Sequence, residues 1–143
     1  MAHAPTRHSA LVAVAVVLAT LVPAASASAA KIRIKAPDKI DQAEKFRVVA
    51  KGTGKPNKHY GVSVVYHNDD QGKCEPTVGE EITRNTYYSV LYLYPVTTDK
   101  DGKYKVTSRK IFGGAVNSGK LCGYLTAKNG DTKATAVRHI EFT

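Results

Sequence analysis

The sequence predicts an all-β protein, an antiparallel β-sandwich of about seven strands. Turn-forming residues recur every ~8 to 14 positions after the first thirty residues. The runs between them are rich in Val, Ile, Thr, Tyr and Phe, which favour strands. No window shows a sustained apolar period of helical type. Together these observations indicate two facing sheets in one domain.

Residues 1–29 differ from this pattern and are predicted to be a secretory signal peptide. Arg7 provides a positive start, and Ser9–Val22 is an uncharged, mostly apolar run. Ala27-Ser28-Ala29 is the best A-x-A cleavage site, with Ala25-Ser26-Ala27 as second choice. The alternative is an uncleaved membrane anchor, but the run of about 14 residues is shorter than the ~20 that a spanning helix needs. We therefore expect a secreted, extracellular domain at residues 30–143.

The first strands of this domain alternate cleanly. Lys31–Lys35 (KIRIK) places its isoleucines inward and its basic residues outward, and its charge is typical of a protected edge strand. Lys45–Lys51 puts Phe46, Val48 and Ala50 on one face. In Tyr60–His67, the set Tyr60, Val62, Val64 and Tyr66 lies opposite Gly61, Ser63, Val65 and His67.

The later strands are punctuated by turns. Residues 68–81 are predicted to be irregular, and Asp99–Gly102 is a tight turn. Asn129-Gly130 predicts a two-residue hairpin turn. The final run, residues 134–142, does not alternate as one strand, which predicts a bulge near Arg138-His139. The other strands are expected at residues 86–96, 103–112 and 119–128.

Cys74 and Cys122 are the only cysteines. In an exported domain, two cysteines most simply form one disulfide, and closing a loop of this length is worth about 4 kcal/mol in the chain-entropy model. The alternative is a metal site, but no nearby histidine–cysteine spacing supports it.

Charge sets limits on the partners. Arg7 is the only charged residue of the leader, so the mature chain keeps 20 basic residues against 12 acidic ones, a net charge of +8. The basic residues are scattered singly along the strands, whereas nucleic-acid binders more often gather them on one element. This distribution argues against a specific nucleic-acid role and favours loose attraction to anionic envelope polymers.

Three segments resemble bacterial secreted immunoglobulin-like domains. KFRVVAKGTGKPNKHYGVSVVY is similar to strand B, a turn and strand C; TDKDGKYKV is similar to the turn into strand E; GKLCGYLTAKNGDTKATAVRHIEF is similar to the F–G hairpin. Two features depart from antibody-type domains: tryptophan is absent, and Cys74 lies after strand C. The resemblance implies architecture and brings no functional site.

DKDGKYKV and the final hairpin with AVRHIEF show a weaker resemblance, to neocarzinostatin-type apoproteins. Members of that family are secreted sandwiches that hold a small hydrophobic ligand in a cleft. Their two short-loop disulfides have no counterpart in this chain. This resemblance implies the alternative function, a carrier with a cleft between its sheets.

Catalytic and metal motifs are weak. No G-x-S-x-G elbow or paired carboxylates are evident, so we expect no enzymatic activity, no cofactor and no metal; a hydrolase or metal-dependent enzyme in converging loops is a third hypothesis. The histidines His59, His67 and His139 are interpreted as ordinary residues, although a metal site from them is conceivable. Asp99–Gly102 is not a calcium loop, because its twelfth position is Lys110. Asp69, Asp70, Glu80 and Glu81 are more simply solvated loop charge than a calcium site.

The stretch YYSVLYLYP (Tyr87–Pro95) carries four of the eight tyrosines. If Leu91 and Leu93 face the core, then Tyr88, Tyr92 and Tyr94 form a row on the other face, which we predict as a candidate binding face. Strand propensity and cross-strand packing explain the same residues without a ligand. The sequence thus favours a recognition or adhesion module for an unknown protein, glycan or anionic envelope polymer.

Overall fold

Ten strands and one short helix make up the computed structural model, which describes residues 29–68, 72–84, 89–112 and 118–143. The predicted signal peptide is outside the described residues except for Ala29, so its cleavage stays a prediction. The elements are β1 (Lys31–Lys35), β2 (Lys39–Ile40), β3 (Lys45–Phe46), β4 (Val49–Thr53), β5 (His59–Asn68), α1 (Val78–Arg84), β6 (Ser89–Thr97), β7 (Lys103–Thr107), β8 (Ile111–Phe112), β9 (Gly119–Ala127) and β10 (Thr132–Phe142).

The strands form two main sheets that face each other, which confirms the predicted all-β sandwich. One sheet has the order β1-β4-β7 and the other has the order β2-β10-β9-β5-β6. All pairs are antiparallel except β2 with β10, and β3 with β8 forms a separate two-stranded ladder. The Lys-rich β1 lies at a sheet edge, as predicted.

Two of the predicted strands are each divided in two. Residues 45–51 split into β3 and β4, and residues 103–112 split into β7 and β8. At the break, the Val48 N–H donates to the Ser108 hydroxyl at 2.9 Å, and the Ser108 N–H donates to the Val48 carbonyl at 2.8 Å. A side chain thus takes the place of one ladder bond, which lets both strands change sheet and raises the strand count above seven.

The space between the sheets is filled by the side chains that alternation predicted to be inward. Ile32, Phe46, Val62 and their strand neighbours are buried in one apolar cluster. Gly123 lies where β1 crosses β9, and a Cβ there would lie 2.3 Å from Cδ1 of Ile34. The two sheets therefore approach each other closely at this crossing.

A second, smaller core lies on the opposite face of the five-stranded sheet. The segment 74–84 covers Val65, Cys122 and Tyr124, and Val78 of α1 packs against them. This covering explains why Ser63 and Val65, on the face of β5 opposite Val62 and Val64, are also buried. The predicted Cys74–Cys122 disulfide is present, with the two Cα atoms 5.8 Å apart, and it fastens the covering segment to β9.

Helix α1 corrects the prediction that residues 68–81 are irregular. Thr77 is its N-cap: the Glu80 N–H donates to the Thr77 hydroxyl, which in turn donates to the Glu80 carboxylate at 2.7 Å. At its other end Arg84 forms an ion pair with Glu75. The sequence signal, T-x-x-E in residues 77–80, was present but short.

The turns agree in part with the predictions. Gly102 has a positive φ of 77° in the Asp99–Gly102 turn, as expected. The hairpin after β9 has three residues, not two, between Ala127 and Asp131, because the Ala127 N–H donates to the Asp131 carbonyl. The predicted bulge at Arg138-His139 is wrong: the irregularity lies between Thr132 and Ala134.

Arg138 explains why the sequence of the last strand does not alternate between apolar and polar residues. Arg138 lies on the side of β10 that faces the core, but its long side chain extends away from the core. Its guanidinium donates to the Ala36 carbonyl at 3.2 Å and pairs with the Asp38 carboxylate at 2.5 Å. Its neighbour Val137 faces solvent instead, with 53% of its surface exposed. In the described residues, no helix has the length and apolar character required to span a membrane.

Candidate functional site

The outer face of the three-stranded sheet carries an array of basic side chains, which we call the basic face. The strand register places Arg33, Lys51 and Lys105 side by side across β1, β4 and β7. The flanking rows are Lys31 with Thr53 and Lys103, and Lys35 with Val49 and Thr107. Six of the nine outward positions are therefore cationic, and none is acidic.

The charges of the basic face are unbalanced. Among the described residues, none of its six cations forms an ion pair. Adjacent strands lie about 4.8 Å apart and alternate residues about 7 Å apart along a strand, so the cations repel one another. Like charges directly opposite in a sheet are destabilising. An arrangement that costs stability in the free protein is favourable once an anion lies over it.

A second basic feature is a cavity of about 590 Å³ at one end of the sandwich. Its walls come from the β4–β5 loop, the start of β5, the β9–β10 hairpin and the residues preceding β1. Its basic side chains are Lys55, Lys58, His59, Lys128 and Lys133.

The buried polar cluster under the covering segment is centred on Glu81. Its side chain is 0% exposed, and Oε2 accepts bonds from the Glu75 N–H at 2.7 Å and the Tyr124 hydroxyl at 2.9 Å. Oε1 contacts Nδ1 of the buried His67. The cluster therefore joins the covering segment to β5 and β9 by polar contacts beside the disulfide.

The environment shifts two pKa values in this cluster. Burial raises the pKa of Glu81, but the bonds from the Glu75 amide, His67 and Tyr124 together outweigh it and hold the pKa below its ordinary value of 4.5. Burial and the bond to Glu81 raise the pKa of the Tyr124 phenol. Glu81 is thus a carboxylate, not the solvated loop charge that the sequence suggested.

A possible metal set within the described residues is His67, Glu81 and Cys122, whose ligand atoms lie within 4.8 Å of one another. The Cys122 sulfur is bonded to Cys74, so it offers no thiolate to a metal. His67 and Glu81 already bind each other. This donor set does not fit a metal while the disulfide is intact.

Of the loop charges considered for calcium, only Glu80 and Glu81 belong to the described residues. Asp69 and Asp70 lie outside the described residues, and Glu80 caps α1. His59, at the other end of β5, bonds to the Thr97 hydroxyl. His139 lies on β10 opposite Lys120, so the three histidines do not share one site.

The proposed tyrosine face is only partly described. Tyr88 lies outside the described residues, and Tyr92 is described only through its backbone, which pairs with Val64. Tyr94 is partly buried and packs against the main core. Leu93, assigned to the core from the sequence, is instead 61% exposed, so that assignment is wrong. Tyr94 and Leu93 have exchanged faces relative to the prediction.

The basic face is the feature that the sequence interpretation missed. The signal was present, because KIRIK and KYK both place basic residues at every second position. The cations were interpreted as scattered, since sequence alone does not show that β1, β4 and β7 are neighbours in register.

Comparisons with known proteins show no matching family model and no matching curated protein. Among solved structures, the sulfur carrier protein SoxY from Chlorobium limicola f thiosulfatophilum is 15% identical, with a TM-score of 0.49 and coverage of 78% of each chain. A Niemann-Pick type C2 protein from Japanese carpenter ant is 14% identical, with a TM-score of 0.48 over 83% of this chain and 96% of that one.

Macromomycin, which is of neocarzinostatin type, is 15% identical with a TM-score of 0.40, over 78% of this chain and 99% of macromomycin. All three are β-sandwich folds. Similarity this low carries no argument about ligand or activity. The immunoglobulin-like resemblance stays a prediction.

Proposed function

We propose that this protein is a secreted, non-enzymatic recognition domain that binds an anionic polymer at or outside the cell envelope. The basic face carries the proposal: six cations and no acidic residue occupy nine adjacent outward positions. The Cys74–Cys122 bond supports export, because disulfides persist in oxidising compartments.

The shape of the basic face favours a polymer over a small ligand. Its side chains stand on a sheet in three parallel rows, so the charges spread over a surface and do not converge on one point. Phosphate or carboxylate groups that repeat along a chain can contact several rows at once, and each contact releases a counterion. We therefore expect affinity to fall steeply with salt.

The predicted alternative, a carrier with a cleft between its sheets, finds less support. Val48, Val62, Leu121 and Leu125 are fully buried and fill the described space between the sheets. A hydrophobic ligand would have to displace these core side chains.

The test compares two triple variants of equal charge. Arg33→Gln/Lys51→Gln/Lys105→Gln removes the middle row of the basic face. Its matched control, Lys73→Gln/Arg109→Gln/Lys110→Gln, removes one arginine and two lysines from exposed positions elsewhere.

Binding is measured on polyphosphate and on alginate, with neutral dextran as the uncharged polymer, from about 0.05 to about 0.5 M salt. We expect the first triple variant to weaken polyanion binding about tenfold or more at low salt, and the control to change it less than about twofold. Equal losses in both variants would mean that net charge alone attracts the polymer, and would overturn the proposal. Preferential binding to duplex DNA of equal charge would also contradict it.

A further inference from the structure

The outer face of the five-stranded sheet is covered at one end only. The segment 74–84 lies over Val65, Cys122 and Tyr124, whereas the part around Gly61 carries no covering element among the described residues. A groove of about 390 Å³ lies there, and it adjoins the basic end cavity of about 590 Å³. The two share four lining residues: His59, Tyr60, Ala127 and Lys128.

One arm of this combined groove is apolar. Leu93 and Pro95 project along β6, and Leu93 is the most exposed large apolar side chain among the described residues. Between β6 and β9, Gly61 pairs with Pro95 and Thr126. A Cβ at Gly61 would lie 2.8 Å from the Thr126 hydroxyl. Because glycine has no side chain, the groove is deeper at this position.

The other arm is cationic. Lys133 pairs with Asp131 at 3.1 Å, but no ion pair engages Lys55, Lys58 or Lys128 within the described part of the chain. The backbone that carries two of these lysines is fixed by Thr98, whose hydroxyl donates to the Lys55 carbonyl at 2.6 Å and accepts from the Lys58 N–H at 2.9 Å. Lys55 and Lys58 therefore lie in a loop whose backbone is fixed by hydrogen bonds.

We propose that this groove binds an amphiphilic anion, a carboxylate or phosphate head joined to an apolar chain. The head lies among Lys55, Lys58 and Lys128, and the chain lies along Leu93 and Pro95. The lysines bind the anionic head by charge complementarity, and the exposed apolar surface binds the chain. The combined size suits a small ligand, since such sites usually measure about 300–1,000 Å³.

This site is separate from the basic face in both position and ligand. The basic face belongs to the strands β1, β4 and β7, whereas the groove is lined by β5, β6, the β9–β10 hairpin, the β4–β5 loop and the residues preceding β1. Because the ligand sits on an outer face, the filled core does not have to open.

The test uses octyl phosphate and octanoate as probes, titrated calorimetrically into the exported protein, with octanol as the neutral analogue and inorganic phosphate as the head alone. We expect both amphiphilic anions to bind at least about tenfold more tightly than octanol or phosphate. Their ratio to each other distinguishes a phosphate head from a carboxylate head.

Leu93→Gln tests the apolar arm, and Val137→Gln is its matched control, because Val137 is also exposed on an outer face but lies outside the groove. Lys58→Gln/Lys128→Gln tests the cationic arm against Lys73→Gln/Lys110→Gln. We expect each groove variant to weaken the affinity for octyl phosphate about tenfold, and each control to leave that affinity unchanged within about twofold.

Three outcomes would overturn the proposal: octanol bound as tightly as the anions, equal losses in the groove variants and their controls, or no binding of either anion. The variant that removes the middle row of the basic face is expected to bind octyl phosphate normally. Failure of the groove is therefore distinguishable from failure of polymer binding.

Discussion

At the scale of single residues, Glu81 is held by several polar partners at once. Its carboxylate is fully buried and receives bonds from a backbone amide, a phenol and an imidazole. A buried carboxylate is costly unless its oxygens are satisfied. The hydrogen bonds here outweigh that cost, so the carboxylate joins the covering segment to the sheet.

This arrangement predicts a pH-dependent cost for Glu81→Gln. The folded-state pKa of Glu81 lies below 4.5, so the ionised carboxylate stabilises the protein above that pH, and the contribution is lost as the pH falls through the folded-state pKa. We expect the variant to lose about 1–3 kcal/mol of unfolding free energy at neutral pH. Urea unfolding at a series of pH values measures the difference, which should shrink below pH 4.5.

The exposed Glu44 provides the control. Glu44→Gln is expected to change stability by less than about 0.5 kcal/mol at every pH. A Glu81→Gln deficit that stays constant down to strongly acidic pH would show that the carboxylate's charge does not stabilise the segment.

Residue roles were predictable only where the main chain alternates simply. Ile32 and Ile34 were placed correctly, because one face of their strand is apolar and the other basic. Leu93 was misplaced, since leucine and tyrosine alternate and both suit either side of a sheet. Glu81 was missed because its partners come from β5, β9 and a loop, which no local pattern connects.

At the scale of elements, β4 lies between two strands that carry the same charge. Lys51 has Arg33 on one side and Lys105 on the other. Selection for stability alone would favour an acidic residue at this central position. The lysine agrees with the proposed polyanion, which would supply the opposite charge.

Lys51→Glu should consequently stabilise the free protein while weakening the proposed polyphosphate binding. We expect a gain of about 0.5–1 kcal/mol in unfolding free energy at low salt, because one carboxylate then faces two cations. The gain should diminish at high salt. Thermal unfolding at two salt concentrations measures the gain in stability, and a polyphosphate binding assay measures the loss of affinity.

Lys73→Glu makes the same change in net charge at an exposed loop position. It should leave stability nearly unchanged and retain most polymer binding. If Lys51→Glu destabilised the protein at low salt, the repulsion inferred across the basic face would be wrong.

Most elements were predictable, but their ends were not. The alternation of apolar and polar residues predicted β1, β4, β5 and β7, because one face of each strand is buried and is therefore mostly apolar. The divided strands depend on the bond between Val48 and Ser108, which are 60 positions apart. Helix α1 is only 7 residues long, too short for its period to stand out from surrounding loop residues.

At the scale of the whole molecule, two surfaces of the described chain carry unpaired basic side chains, and they differ in composition. The basic face is cationic, whereas the groove combines lysines with apolar side chains. Ala29 and Ala30 line the cationic arm of the groove. Cleavage at the predicted position would place the new α-amino group of Ala30 at that arm.

We therefore expect the exported protein to begin at Ala30 and to bind octyl phosphate about two- to fivefold more tightly than the same chain with an acetylated N-terminus, which lacks that positive charge. Intact-mass measurement of the exported protein identifies the first residue. A mass that includes the leader, or equal affinity of the two forms, would contradict this role for processing.

The position of the disulfide has a consequence for maturation. The sheets can assemble before Cys74 and Cys122 are joined, since no strand pairing passes through that bond. Without that bond, the covering segment 74–84 is held to the sheet by contacts such as the bonds of Tyr124 to Glu75 and Glu81, and lifting it uncovers Val65 and Tyr124. We therefore expect added protease to cut the reduced protein within residues 74–84 more readily than the oxidised protein, because the segment lifts more easily without the bond.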